Sequence, residues 1–203
     1  MKSSLNPSKI LVYTAITGGY EKERSDILVM TDDLLKDPRR SARMHKCLTP
    51  DFERYEYSLW IDGNTSLKVP VEMLIERHLK DADIAVFKHP LRNCIYDEAD
   101  ACRTLGLDDD EVIMRQMLRY AREGYPTNNG LAATTYVLRR HTAKIEAFNS
   151  LWWAEICKGS RRDQLSFDYA AWKLNVKINH FSDKVYFDNF KHNDYFNYKE
   201  HGK

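Results

Sequence analysis

The segment Asp62-Gly63-Asn64 places a carboxylate and an amide two residues apart, directly after the apolar run Tyr57 to Ile61. Such a run predicts a buried strand. Carboxylate and amide oxygens are the ligands that Mg²⁺ and Mn²⁺ prefer, and an ion held there could carry the diphosphate of a nucleotide-sugar. His180, which follows the last predicted strand, could complete that ion's shell. The alternative is an ordinary Asp-Gly turn with no ligand.

Arg39, Arg43 and Lys46 follow Pro38 at spacings of four and three residues, which puts them on one face of a predicted helix. Guanidinium groups match the oxygens of phosphate. The stripe therefore indicates a phosphate site next to the acidic loop, or else a helix face that is simply solvated.

A second group of ionisable residues follows the predicted strand Ile84 to Phe87. His89 and Arg92 come first, and Asp97 and Glu98 follow at the start of a predicted helix. Carboxylates and arginines suit the recognition of sugar hydroxyls. The two acids could equally be first-turn residues that the helix macrodipole favours.

A third group is the polar segment Arg161-Arg162-Asp163 before the helix predicted over 164–174. The two arginines suit a departing phosphate, and Asp163 is the first candidate for a general base that deprotonates a hydroxyl. Asp97 or Glu98 is the second candidate for that role. Asp163 could also be only a helix N-cap.

The first predicted strand, Ile10 to Ala15, runs into Thr17-Gly18-Gly19. Neither a G-x-G-x-x-G fingerprint nor a P-loop sequence occurs in the chain, which argues against Rossmann dinucleotide binding and P-loop hydrolysis. The glycine pair is a turn, or a place where a nucleotide base or ribose approaches the backbone closely.

Strands and helices alternate through the first half of the chain, which predicts an α/β fold with a mostly parallel sheet covered by helices on both faces. Strands are predicted at 10–15, 26–31, 57–61, 84–87, 131–138 and 176–178. In such sheets ligands bind outside the carboxyl ends of the strands, where the loops at residues 17–19, 32–33, 62–64 and 89–90 are expected. The 203 residues predict one domain, with the aromatic tail 183–203 as a strap over it or as a linker.

The composition excludes several classes of partner. A net charge of +1 leaves no strong field for nucleic acid or a membrane surface. No run approaches the ~20 apolar residues of a membrane span. Four cysteines without a C-x-x-C spacing are expected to be free thiols. A cytoplasmic protein, or a domain of a longer chain, is the expectation.

The chain resembles a glycosyltransferase-like family of plants, bacteria and large viruses that is related to capsule and cell-wall polysaccharide transferases. Its motifs occur in order between about residues 10 and 175: Val12–Tyr20, Thr31-Asp32-Asp33, Arg40-x-x-Arg43-x-x-Lys46, Ser58–Asn64, His89–Glu98, Gln116-x-x-x-Tyr120 and Arg161–Phe167. The resemblance implies a GT-A fold, in which Asp62 and Asn64 stand at an Asp-x-Asp-type metal loop. Asn64 replaces the second acid, which removes one ligand charge.

The same resemblance implies a function. The domain is expected to transfer a hexose or deoxyhexose from a uridine diphosphate sugar to a glycan hydroxyl, assisted by Mn²⁺ or Mg²⁺ and with inversion. The residues expected to contact the donor are Tyr13, Thr14, Ala15, Thr17, Gly18, Gly19, Arg40, Arg43, Lys46, Asp62, His89 and Arg92. One alternative is a nucleotide-sugar or carbohydrate-binding module without transferase activity. The other is a metal-dependent hydrolase or nucleotidyltransferase, which would require a denser acidic cluster than Asp62-Gly63-Asn64.

Overall fold

Short apolar, β-branched runs form the sheet at the centre of the molecule. The computed structural model describes residues 5–19, 24–181 and 193–199. The strands are β1 (Ile10–Ala15), β2 (Leu28–Met30), β3 (Tyr57–Ile61), β4 (Thr65–Leu67), β5 (Ile84–Lys88), β6 (Ala132–Arg140), β7 (Ile178–His180) and β8 (Phe196–Tyr198). The α-helices are α1 (Pro38–Cys47), α2 (Val71–His78), α3 (Ile95–Thr104), α4 (Asp110–Arg122), α5 (Ala143–Lys158) and α6 (Gln164–Lys173).

The central sheet has the strand order β2-β1-β3-β6-β5-β7. Strand β6 is antiparallel to β3 and β5, and the other neighbouring pairs are parallel. The predicted α/β sandwich with a mostly parallel sheet is therefore confirmed, with one antiparallel strand inserted in its middle. Strands β4 and β8 form a separate antiparallel pair, and neither was predicted.

Side chains that alternate along the strands build a core on each face of the sheet. On β3, Trp60 joins the core that α1, α5 and α6 cover. Leu59 and Ile61 point to the opposite face, where they pack with Leu74 of α2 and with Phe196. This period of two residues is the reason that a continuous apolar run can be buried on both sides.

The carboxyl ends of β1, β2, β3 and β5 lie at one edge of the sheet, because these four strands run in the same direction. Asp37 and Pro38 begin α1 at this edge. The Asp37 side chain accepts a hydrogen bond from the Arg39 amide, and the proline occupies the first turn, where its missing N–H costs nothing. The first turn of α1 lies beside the loops that follow β1 and β3.

Residues 193–199 pack against the domain. Phe196 is fully buried and stacks on Tyr136 with ring centroids 3.8 Å apart, and β8 pairs with β4. Residues 183–192 and 200–203 of the predicted strap lie outside the described residues. No helix among the described residues is long and apolar enough to cross a membrane.

Phe196→Ala is expected to destabilise the domain by about 3–5 kcal/mol, because it leaves a cavity against Tyr136 and Phe87. Urea denaturation followed by fluorescence measures the change. Leu118→Ala, at a side chain 53% exposed, is the matched control and should stay within about 0.5 kcal/mol of the wild type. Equal stability of the two variants would contradict the packing of β8 as described.

Candidate functional site

A cleft of about 460 Å³ opens at the carboxyl edge of the sheet. Its volume lies within the range of about 300–1,000 Å³ that is typical of small-molecule sites. Four arginines and one carboxylate supply its charged groups, so we name it the arginine cleft. The residues that line it are Ala15, Ile16, Thr17, Arg39, Ala42, Arg43, Trp60, Asp62, Gly63, Asn64, Leu107, Arg161 and Arg162.

A buried network of charges supports the floor of the arginine cleft. Lys46 is 1% exposed, and its Nζ lies 2.6 Å from Oδ2 of Asp163 and 3.6 Å from Oδ1 of Asp62. Nε of Arg43 lies 3.0 Å from Oδ1 of Asp163. Thr134 also donates its hydroxyl to Asp163 at 2.8 Å. Both oxygens of Asp163 are therefore engaged, and Lys46 bridges the two acids.

Asp163 has the environment of a permanent anion. Burial alone would raise the pKa of its carboxyl, but the charges of Arg43 and Lys46 outweigh burial and hold that pKa well below its usual range. A general base needs access to a hydroxyl and a proton affinity near the working pH. The geometry therefore does not support the predicted base role and makes Asp163 a positioning residue for the two cations.

The C-terminal end of α1 holds Lys46 from behind. Arg139 is fully buried and donates hydrogen bonds to the carbonyl oxygens of Lys46 at 2.9 Å and Cys47 at 3.3 Å. It also donates to the hydroxyl of Tyr13 at 2.6 Å and to Asn149 at 2.9 Å. A cation at a helix C-terminus is favourable. Tyr13, predicted to contact the nucleotide, instead belongs to this buried support.

Asp62 is the one carboxylate among the described residues that line the arginine cleft. Its Oδ1 accepts a hydrogen bond from Nε1 of Trp60 at 2.8 Å and also faces Lys46. The Asp62 side chain is 33% exposed, so it can reach a molecule in the cleft. Asn64 donates its amide to the carbonyl of Lys199 at 2.9 Å, which fixes its orientation.

Two arginines in the cleft, Arg39 and Arg162, form no ion pair among the described residues, and Nε of Arg162 is buried without a hydrogen-bond acceptor. The charge of Arg162 adds to those of Arg43 and Lys46 in lowering the pKa of Asp163. Arg161, by contrast, lies 3.1 Å from Asp37 and 3.5 Å from Asp108. Arg39 and Arg162 therefore leave positive charge facing the cleft, which suits an anionic ligand.

His89, Arg92 and Glu98 form a separate cluster that does not line the arginine cleft. Glu98 is buried, and its carboxylate accepts a hydrogen bond from Nε of Arg92 at 2.5 Å, while Nε2 of His89 lies 3.8 Å away. Burial lowers the pKa of His89. Asp97 is exposed in the first turn of α3. None of these four residues lines the cleft, but Arg162, which does, lies close enough for its charge to add to the lowering of the pKa of His89.

Several other predicted donor contacts also lie elsewhere. Thr14 is buried in the core. Gly18 and Gly19 form an exposed turn with φ of 65° and 68°, a conformation that favours glycine. Arg40 binds the carbonyl oxygens of Ile156 and Gly159 at the end of α5. Of the first loop, Ala15 and Thr17 line the cleft.

The residues that the structure describes do not make a divalent-cation shell. His180 lies on β7, three strands from β3, which is roughly 14 Å at the usual strand spacing. No group of three His, Cys, Asp or Glu side chains converges on a metal position within residues 5–19, 24–181 and 193–199. Asp62 and Asn64 alone remain, and Lys46 already faces one oxygen of the first.

The sequence interpretation missed the acids that orient Arg161. Oδ2 of Asp108 accepts hydrogen bonds from the Ser160 hydroxyl at 2.7 Å and from the Arg161 amide at 2.8 Å. The available signal was the acidic run 108–110, but such runs are also typical of helix N-termini. Only the fold shows that the first acid of this run faces the loop before α6.

Comparison with known proteins identifies the family. The model of the TOD1/MUCI70 glycosyltransferase-like domain matches residues 13–201. The chain belongs to this family. The resemblance inferred from its motifs is thereby confirmed.

The TOD1/MUCI70 domain has two similar curated relatives, both from Arabidopsis thaliana. The first is named probable hexosyltransferase MUCI70 and is 32% identical over 154 residues, which is 70% of this chain and 26% of the relative. The second is named alkaline ceramidase TOD1 and is 29% identical over 150 residues, which is 66% of this chain and 32% of the relative. The chain thus spans about a third or less of their lengths.

Among solved structures, the chain is similar to the crystal structure of A197 from STIV. The match covers 86% of this chain and 82% of the A197 chain. The TM-score is 0.43 and the identity is 8%.

Asp163→Asn is expected to cost about 3–5 kcal/mol of stability at pH 7, because it leaves Lys46 and Arg43 buried beside a neutral amide. The pKa of Asp163 is lower in the folded protein than the value of about 3.9 in the unfolded chain. Its stabilisation is therefore present above pH ~4 and is lost as the pH falls toward the folded pKa.

The measurement is urea denaturation of the wild type and the variant between pH 7 and pH 2.5. The difference in unfolding free energy should shrink below pH ~4. Asp81→Asn changes an exposed acid and should show no such difference. A wild-type-like Asp163→Asn would refute the buried network.

Proposed function

We propose that this domain binds a nucleoside diphosphate sugar in the arginine cleft and transfers the sugar to a hydroxyl of a glycan. The observation that supports the proposal most is a pair of arginines, Arg39 and Arg162, which form no ion pair among the described residues and line a cleft at the carboxyl edge of an α/β sheet. Family membership supports the same reaction class. Uridine diphosphate is the nucleotide that the resemblance implies.

In the transfer reaction one bond forms, one bond breaks and the acceptor loses a proton. The oxygen of the acceptor forms a bond to the anomeric carbon while the bond from that carbon to the diphosphate breaks. The acceptor proton must go to a base if the configuration inverts. We assign that role to Asp62, because it is the carboxylate that the described part of the cleft offers, and its Oδ1 accepts a hydrogen bond from Trp60.

The departing diphosphate carries negative charge, and the arginines of the cleft stabilise that charge. Preorganised cations stabilise a developing anion without moving, and Arg43 and Arg161 are held in place by Asp163, Asp37 and Asp108. A Mn²⁺ or Mg²⁺ ion, implied by the resemblance, would have only Asp62 and Asn64 of the predicted ligands at this edge of the described structure.

Binding of UDP and of UDP-sugars is the first test. At 100 times its dissociation constant a ligand stabilises the folded state by about 2.7 kcal/mol, which a thermal shift detects. Arg39→Gln and Arg162→Gln should each weaken the affinity about 10-fold or more, since a hydrogen bond to a charged group contributes about 1.5–3 kcal/mol.

Arg115→Gln, at an exposed position on α4 outside the cleft, is the matched control and should bind UDP as the wild type does. A wild-type protein that no nucleoside diphosphate or its sugar stabilises would refute the proposal.

Turnover separates a transferase from a binding module. Release of UDP from the donor, followed with and without glycan acceptors, should be lost by orders of magnitude in Asp62→Asn. A wild type that binds the donor but never releases UDP would favour the alternative function, a nucleotide-sugar-binding module.

A further inference from the structure

Lys46 places a fixed positive charge beside Asp62. Its side chain is 2% exposed, and its ammonium group lies 3.6 Å from Oδ1 of Asp62 and is held in place by Asp163 at 2.6 Å. Its Nζ also lies 5.5 Å from the centre of the Trp60 ring, so cation–π attraction adds to the fixation. An ion on the same carboxylate would meet a fixed positive charge.

The outer side of the cleft supplies positive charge from side chains. Arg39 and Arg162 form no ion pair among the described residues, and the Arg43 side chain lines the cleft while its Nε pairs with Asp163. Guanidinium groups bind two phosphate oxygens at once. The guanidinium groups therefore already supply the positive charge that a divalent ion would bring to a diphosphate.

We infer that the arginine cleft binds the diphosphate of its donor through guanidinium groups and needs no divalent cation to do so. This inference rests on the proposed function, because it concerns the same ligand and the same cleft. It departs from the metal-assisted binding that Asp62-Gly63-Asn64 suggests, and its physical basis is the salt bridge that Asp62 makes inside the protein.

Isothermal titration with UDP tests this directly. The protein is first treated with EDTA and exchanged into metal-free buffer, and UDP is then titrated with EDTA or with Mn²⁺ present. The dissociation constants should agree within about threefold. Binding that appears only with Mn²⁺ would overturn the inference and leave the proposed function intact. Failure to bind under both conditions would instead count against the proposed function.

Asp62→Asn gives opposite results under the two models. If an ion anchors the diphosphate, loss of the carboxylate abolishes UDP binding. If guanidinium groups anchor it, the variant removes a negative charge near the phosphates, and affinity in EDTA should stay equal or rise by a few fold. Circular dichroism and a melting curve establish that the variant is folded. Abolished binding by a folded variant would overturn the inference.

Arg39→Gln and Arg162→Gln complete the set. In EDTA each should lose about 10-fold or more in UDP affinity, and Mn²⁺ should not restore it. Asp81→Asn and Arg115→Gln change the same charges at exposed positions outside the cleft and should bind as the wild type. Restoration by Mn²⁺ of wild-type affinity in both cleft variants would also overturn the inference.

Discussion

The ion pair between Lys46 and Asp163 is the constraint on which the site depends. The two residues are 117 positions apart in the chain, and both are nearly inaccessible to water. Charges so deeply buried are tolerable only when they are paired and hydrogen-bonded. The pair therefore forces α1 and the start of α6 together, and β3 joins them through Asp62.

Arg139 connects this buried ion pair to the core, because it binds the C-terminal end of α1. Within the described part of the chain, Arg139 has neutral hydrogen-bond partners: carbonyl oxygens at the end of α1, the Tyr13 hydroxyl and Asn149. A fully buried guanidinium with neutral acceptors is costly by itself, but the C-terminal end of a helix carries partial negative charge. Because Arg139 lies on β6, the antiparallel strand fixes the axial position of α1. This contact therefore sets where Arg39, Arg43 and Lys46 of α1 lie relative to the cleft.

Sequence patterns were sufficient for most elements and for part of the site. The apolar run Ile10–Ala15 coincides with β1, and Pro38 begins α1 as predicted, because strand burial and helix capping are local properties. The direction of β6 was not predictable, since its apolar residues fit either orientation. Likewise the stripe Arg39, Arg43 and Lys46 was visible as one helical face, but nothing local showed that its last member is buried.

Sequence patterns could not show the surroundings of residues whose contacts come from distant elements. Asp163 carried the features of a base in sequence, but two cations reached it from α1 and depressed its pKa. His180 followed a predicted strand, and only the strand order showed it to be three strands from Asp62. Spacing along the chain reports neighbours within one element, whereas charge pairing and depth depend on which elements the sheet brings together.

The acids and bases of this edge are arranged in two layers with different functions. In the inner layer Asp163 is paired with Lys46 and Arg43, and Lys46 also faces one oxygen of Asp62, whose side chain still reaches the cleft. In the outer layer Arg39 and Arg162 form no ion pair among the described residues and line the cleft. This arrangement gives a fixed positive surface above a buried layer whose charges cancel. Fixed charges need no reorganisation when an anion forms beside them. The rigidity of the buried layer therefore keeps the positive charge of the exposed layer in a fixed position.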